Sequence, residues 1–242
     1  DSISKEYYYG GKLKSEGNYT LGEKEGAWKY YYENGKLNQT EYYHNGNLTA
    51  VNLIYNEDGT LDKEYNYKEG EPDGAVKFYG ENNQLAVILN FKEGELISYA
   101  YEGKDGKLVA PVIVKNGTAL VVGYYKNGAK SAEMNFEEND INGTRKIYFT
   151  TGKIYIDGQR ELGYENGPKK VYYENGQLQN DENYFHGNQH GASKEFYKTG
   201  KLKKEETWYN GQLHGQCRYY DENGKLTQTR NYYYGLLQEA HN

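Results

Sequence analysis

The 242-residue sequence is short of several things that would define a function class. It has one cysteine, Cys217, so no internal disulfide can form and the redox compartment leaves no mark on it. It has no run of Lys and Arg, and its net charge is −6, from 35 acidic and 29 basic side chains. Nucleic acid and anionic membrane surfaces both require a positive patch, so neither is the expected partner. No apolar run approaches the length that crosses a bilayer as a helix. Proline occurs only 3 times and methionine once. Leu, Ile, Val and Phe are too few for a thick core.

In their place stand 30 tyrosines and 30 glycines. Disordered chains lack aromatic residues, so a disordered reading fails. Tyrosine must carry much of the burial, and its hydroxyl favours the edge of water. Both facts fit a thin structure.

The glycines recur at a fixed period. Taking the glycine of "NGKL" as anchor gives Gly11, Gly35 and Gly59, then Asn83, and continues from Gly106 to Gly224 at spacings of 22 to 24 residues. A second turn follows each anchor by eleven residues, as at Gly22, Gly46 and Gly163. Every helical window is broken before three turns can form. The expected fold is all-β: an elongated, twisted, single-layer antiparallel meander of ten units of about 24 residues, two strands each, filling residues 1–242 as one domain.

Three columns are nearly all apolar or aromatic. Tyr31, Leu37 and Tyr43 represent the positions four before, two after and eight after the anchor. In a three-residue loop closed by a left-handed glycine, the first two face each other. Positions two and eight share parity on one strand. These columns are therefore expected to form one core face. Units four and five, spanning Val87 to Val122, are richer in Val, Ile and Leu. They read either as a bend where the ladder loses register or as a dimer or partner patch. Arg160 interrupts an aromatic column beside an extra Gly158.

The opposite face is the candidate site. Three before the anchor lie Tyr8, Tyr32, Tyr125, Phe149, Tyr173 and Tyr197, and five after it lie Asp157, Asp181 and Glu205. Aromatic rings can grip a partner's side chains or stack on sugars. The carboxylates read as a solvated face with cross-strand Lys partners, because an acid/base pair needs a water-poor pocket. His190 and His214 occupy equivalent places and read as solvent-facing turn histidines, not a zinc pair. Ser193 and Cys217 have no histidine placed to activate them. No catalytic, cofactor-binding or metal residue is assigned.

The stretches "EGAWKYYYENGKL" from Glu25, "HGASKEFYKTGKL" from His190 and "HGQCRYYDENGKL" from His214 resemble the MORN-repeat variant family. The resemblance covers the whole chain. It implies a meandering β-sheet and an interaction or scaffold role, with lipid binding proposed for some members and antitoxin labels on many bacterial ones. It supplies no catalytic residues. The resulting expectation is a non-enzymatic scaffold for a protein partner. The rivals are a carbohydrate (cell-wall glycan) module and a membrane-associated scaffold, the latter disfavoured by charge. The Lys, Asn, Tyr and Glu bias of the composition points to a bacterium, and an extracytoplasmic address is an expectation that no residue carries.

Overall fold

A computed structural model describes residues 2–8 and 10–241. The chain is all-β, with one short 3-10 turn at Glu81–Asn83 among the described residues. Its strands form two antiparallel sheets. The first, of 11 strands, runs in chain order from Ser2–Tyr7 to Val112–Ile113, and the second, of 13, runs from Ala119–Tyr124 to Leu236–His241. Neither path closes into a barrel. The chain divides into two compact units, Asp1–Ser131 and Ala132–Asn242.

Two turn types alternate, as the glycine spacing requires. At "YENGK" the Tyr32 N–H donates to Lys36 O and the Gly35 N–H to Tyr32 O, both at 2.8 Å. Gly35 has φ 86°, the left-handed closure expected of a three-residue loop. Tyr31 faces Leu37, as do Tyr172 and Leu178. The intervening turns have two residues with both φ values positive, as at Asn45 (49°) and Gly46 (75°). That geometry matches the right-handed twist of the flanking strands.

The expected core face is not the observed one. Tyr31 pairs with Leu37, but Tyr30 pairs with Gln39, which leaves Asn38 as an extra residue. The same bulge recurs at Ile54/Tyr55, Phe78/Tyr79, Val171/Tyr172 and Tyr219/Tyr220. One extra residue reverses parity, so Tyr31 and Tyr43 point to opposite faces. Tyr31 donates to Glu16 Oε1 at 2.8 Å on one face, and Tyr43 donates to Glu41 Oε2 at 2.7 Å on the other. Burial follows the corrected parity. Tyr7, Leu108 and Leu226, from the columns expected inside, are 57%, 56% and 46% exposed. The core holds Val76, Phe78, Val87 and Leu89 in the first unit and Met134, Ile147 and Phe149 in the second.

The Val- and Leu-rich stretch has a local cause. Within the first unit the strand Ala119–Tyr124 packs against Leu85–Lys92, and a Cβ on Gly123 would lie 2.7 Å from Ala86 O. Val87 and Val121 are fully buried there, whereas Ile97, Ile113 and Leu120 stay exposed. One strand packed on another excludes water from aliphatic side chains in a way that a solvated face does not.

A third glycine, four residues after the glycine of the short turn, also takes positive φ, as at Gly26 (69°), Gly167 (93°) and Gly215 (92°). Ala50 holds this position in one hairpin, at φ 56°. A Cβ there meets the following carbonyl at a cost of about 1–2 kcal/mol. Ala50→Gly is therefore expected to stabilise the protein by about 1 kcal/mol after the entropic cost of glycine is subtracted. A urea midpoint that fails to rise would show that the strand relaxes the strain elsewhere.

Candidate functional site

The aromatic column singled out above performs a structural task. Tyr8, Tyr32, Tyr173 and Tyr197 donate their hydroxyls to the backbone carbonyls of Tyr31, Tyr55, Phe196 and Tyr220, at 2.6, 2.6, 2.9 and 2.7 Å. Each bond ties one hairpin loop to the next, 23 residues on. Tyr125 and Phe149, from the same column, are 3% and 2% exposed and offer a partner nothing to grip. Burial raises the phenol pKa of Tyr8, with Glu33 and Glu57 adding to it, and burial raises that of Tyr173 as well.

The acidic column lies in a regular charge row. Across the strands of the second unit the facing residues are Glu133, Lys146, Asp157, Lys170, Asp181, Lys194, Glu205 and Arg218, each opposite the next. The sign alternates at every step, which is the arrangement that stabilises cross-strand neighbours. Lys146 lies 3.8 Å from Asp157, and Arg218 Nη1 lies 2.8 Å from Glu205. The first unit repeats the pattern, with Lys5 on Glu16 at 3.3 Å and Lys77 on Glu64 at 2.7 Å.

Tyrosines of the column four before the anchor complete the row. Tyr31, Tyr79 and Tyr220 donate to Glu16, Glu64 and Glu205 at 2.8, 3.1 and 3.0 Å. These bonds stabilise the charged carboxylate and the protonated phenol together. The Tyr31 hydroxyl and Lys5 lower the pKa of Glu16, and Arg218, followed by Tyr220, lowers that of Glu205. Burial and Glu64 push Tyr79 up to about 12. A carboxylate held ionised in this way is suited to fixed-charge recognition. A general acid working near neutral pH needs the opposite shift.

Cys217, Ser193 and Arg160 are embedded in packing. Cys217 is fully buried, and burial and Glu206 push its thiol up to about 11, away from the nucleophilic thiolate. Ser193 is 7% exposed. Arg160, the odd residue of its column, donates to Gly163 O and Glu165 Oε1, both at 2.7 Å. Arg145 Nη1 lies 3.8 Å from the same Glu165 oxygen.

One signal was passed over in the sequence. Nine residues after the anchors Gly176, Gly200 and Gly224 stand Phe185, Tyr209 and Tyr233, which are 52%, 46% and 59% exposed. The same column could have been read from the period that located the others, but its aromatic character is confined to these three places.

No curated protein matches this chain. A crystal structure of TcdB2-TccC3-Cdc42 is similar over 92% of this chain and 13% of that chain, at 12% identity and a TM-score of 0.18, a likeness too low to bear on fold or function. The family model for the MORN repeat variant matches residues 1–20, 24–45, 72–93, 165–186, 189–210 and 213–232, more than half of the sequence. Each stretch spans one hairpin closed by the longer loop, and the chain belongs to the MORN repeat variant family.

Proposed function

We propose that this chain is a non-enzymatic repeat scaffold, one array of ten units over residues 1–242 in a single-layer meander, that docks a protein partner. The docking face is the one bearing Asp157, Asp181 and Glu205. The observation that carries this reading is the alternating row from Glu133 to Arg218, whose charges are pre-positioned by strand pairing. A regular row of both signs selects a partner by electrostatic complementarity and fixes its register. It offers no net positive field to a polyanion, in keeping with the overall charge of −6. The tyrosines Tyr8, Tyr32, Tyr173 and Tyr197 support this face from the loops by holding successive hairpins in line.

Replacing those tyrosines would confound binding with stability, so the discriminating variant is Asp157→Asn/Asp181→Asn/Glu205→Gln. It keeps side-chain shape and removes the negative half of the row. In a pull-down from native extract, the wild type is expected to retain a protein that elutes as salt is raised, because exposed charges are screened beyond about 8 Å at physiological ionic strength. The variant is expected to lose it while keeping its circular dichroism spectrum. Equal retention by both would remove the row from the site.

A further inference from the structure

The strip through Phe185, Tyr209 and Tyr233 is not required by the fold. The equivalent places in other repeats hold Thr20, His44, Lys68, Lys92, Glu137 and Glu161, and the same hairpins form around them. In an early repeat the pair corresponding to Tyr209 and His190 is His44 and Glu25, in contact at 3.0 Å as a polar pair. In the last repeats both members are rings. His190 lies 5.2 Å from Tyr209 and His214 lies 5.4 Å from Tyr233, centroid to centroid.

These contacts join into one line. Phe185 to His190 is 6.0 Å, His190 to Tyr209 is 5.2 Å, Tyr209 to His214 is 6.0 Å, and His214 to Tyr233 is 5.4 Å. Tyr234, itself 45% exposed, packs beside Tyr209, His214 and Tyr233 at 5.7, 4.7 and 4.7 Å and broadens the end of the strip. The turn residues between the rings, Asn188, Gln189, Asn210 and Gln212, are neutral amides. His190 Nδ1 is buried and has no hydrogen-bond partner among the described residues, so this imidazole packs between Phe185 and Tyr209 and does not face solvent as its turn position suggested.

We infer that this strip binds an extended, neutral, β-linked polysaccharide. The argument rests on shape, period and charge. Exposed aromatic faces stack on the apolar C–H face of pyranose rings, and neutral amides satisfy the hydroxyls at the ring edges. Successive aromatic positions are two strands apart, about 9.6 Å, so a straight chain meets the same environment at a regular interval. A protein interface is built differently, as a compact apolar centre inside a polar rim. Here the rings run in a line across successive hairpins, broadened at its two ends by His186 and Tyr234. The inference stands apart from the charge row, because the two surfaces use different residues and either can fail alone.

The test titrates the full chain with cellohexaose and N-acetylchitohexaose by calorimetry, and measures retention on cellulose and chitin. The comparison variant is Phe185→Lys/Tyr209→Lys/Tyr233→Lys, chosen because Lys68 and Lys92 already occupy equivalent places. Tyr209→Ala serves as a milder second variant. Wild type is expected to bind at least one oligosaccharide, Tyr209→Ala to weaken it several-fold, and the triple variant to weaken it by about 100-fold or more. An unchanged circular dichroism spectrum shows that the variants fold. Absence of binding by the wild type overturns the inference, as does equal binding by the triple variant. Retention of a protein from extract through these rings, with neither sugar bound, also overturns it.

Discussion

Glu165→Ala is expected to lower the unfolding free energy by about 3–5 kcal/mol, the usual cost of removing one partner from a buried ion pair. The Arg145 side chain is 3% exposed, that of Arg160 is 10%, and that of Glu165 is 16%. Arg160 Nη2 donates to Glu165 Oε1 at 2.7 Å, and Arg145 approaches the same oxygen at 3.8 Å. Without the carboxylate, two guanidinium groups lose a common counter-charge in a place water reaches poorly. Urea denaturation of Glu165→Ala measures the loss. Adding Arg145→Met should recover a substantial part of it, because a buried charge is then replaced by apolar volume. A loss under about 1 kcal/mol would mean that solvent or other groups take over the role of Glu165.

Gly17→Ala is the second large effect, at about 3 kcal/mol, in the range for an overpacked core. The Trp28 ring lies flat over Gly17, and a Cβ there would fall 2.2 Å from the ring atom Cδ2. The indole has little freedom to retreat. Tyr19 meets it edge-on at 5.0 Å, Tyr30 stacks at 6.3 Å, Lys24 Nζ lies 4.5 Å from its centre, and its Nε1–H donates to Asn18 O at 3.1 Å. Displacing Trp28, now 4% exposed, should shift its emission to longer wavelength. A Trp208→Phe background lets Trp28 report alone. Unchanged emission together with unchanged stability would mean that the backbone, not the indole, accommodates the methyl group.

Much of the local structure could be read from the residues. The alternating turns follow from glycine and asparagine spacing, because positive φ is nearly free for Gly and costly for most other residues. The facing of Tyr31 and Leu37 follows from loop length alone. Cross-strand Lys partners for the carboxylates follow from alternation along the strands, and pairs such as Lys146 with Asp157 are present. These are short-range rules, decided within one hairpin.

Which face is buried was decided elsewhere. A bulge after each loop reverses parity between Tyr31 and Tyr43, and the tyrosine-rich composition disguises it, since both faces carry aromatic residues. Nor could the pattern of side chains show what Tyr32 does. Its hydroxyl binds the carbonyl of Tyr55, a backbone group that every residue possesses and that no sequence column marks. The same limit hid the purpose of Arg160, whose partner Glu165 comes within 2.7 Å only because two strands pair around a turn. The sequence by itself determined the repeat, the turns and the antiparallel pairing, all set by local backbone energetics. The tertiary structure alone decided which aromatic rings hold hairpins together and which, like Phe185, Tyr209 and Tyr233, face water, because burial depends on what lies across the sheet and not on the residue's own neighbours in the chain.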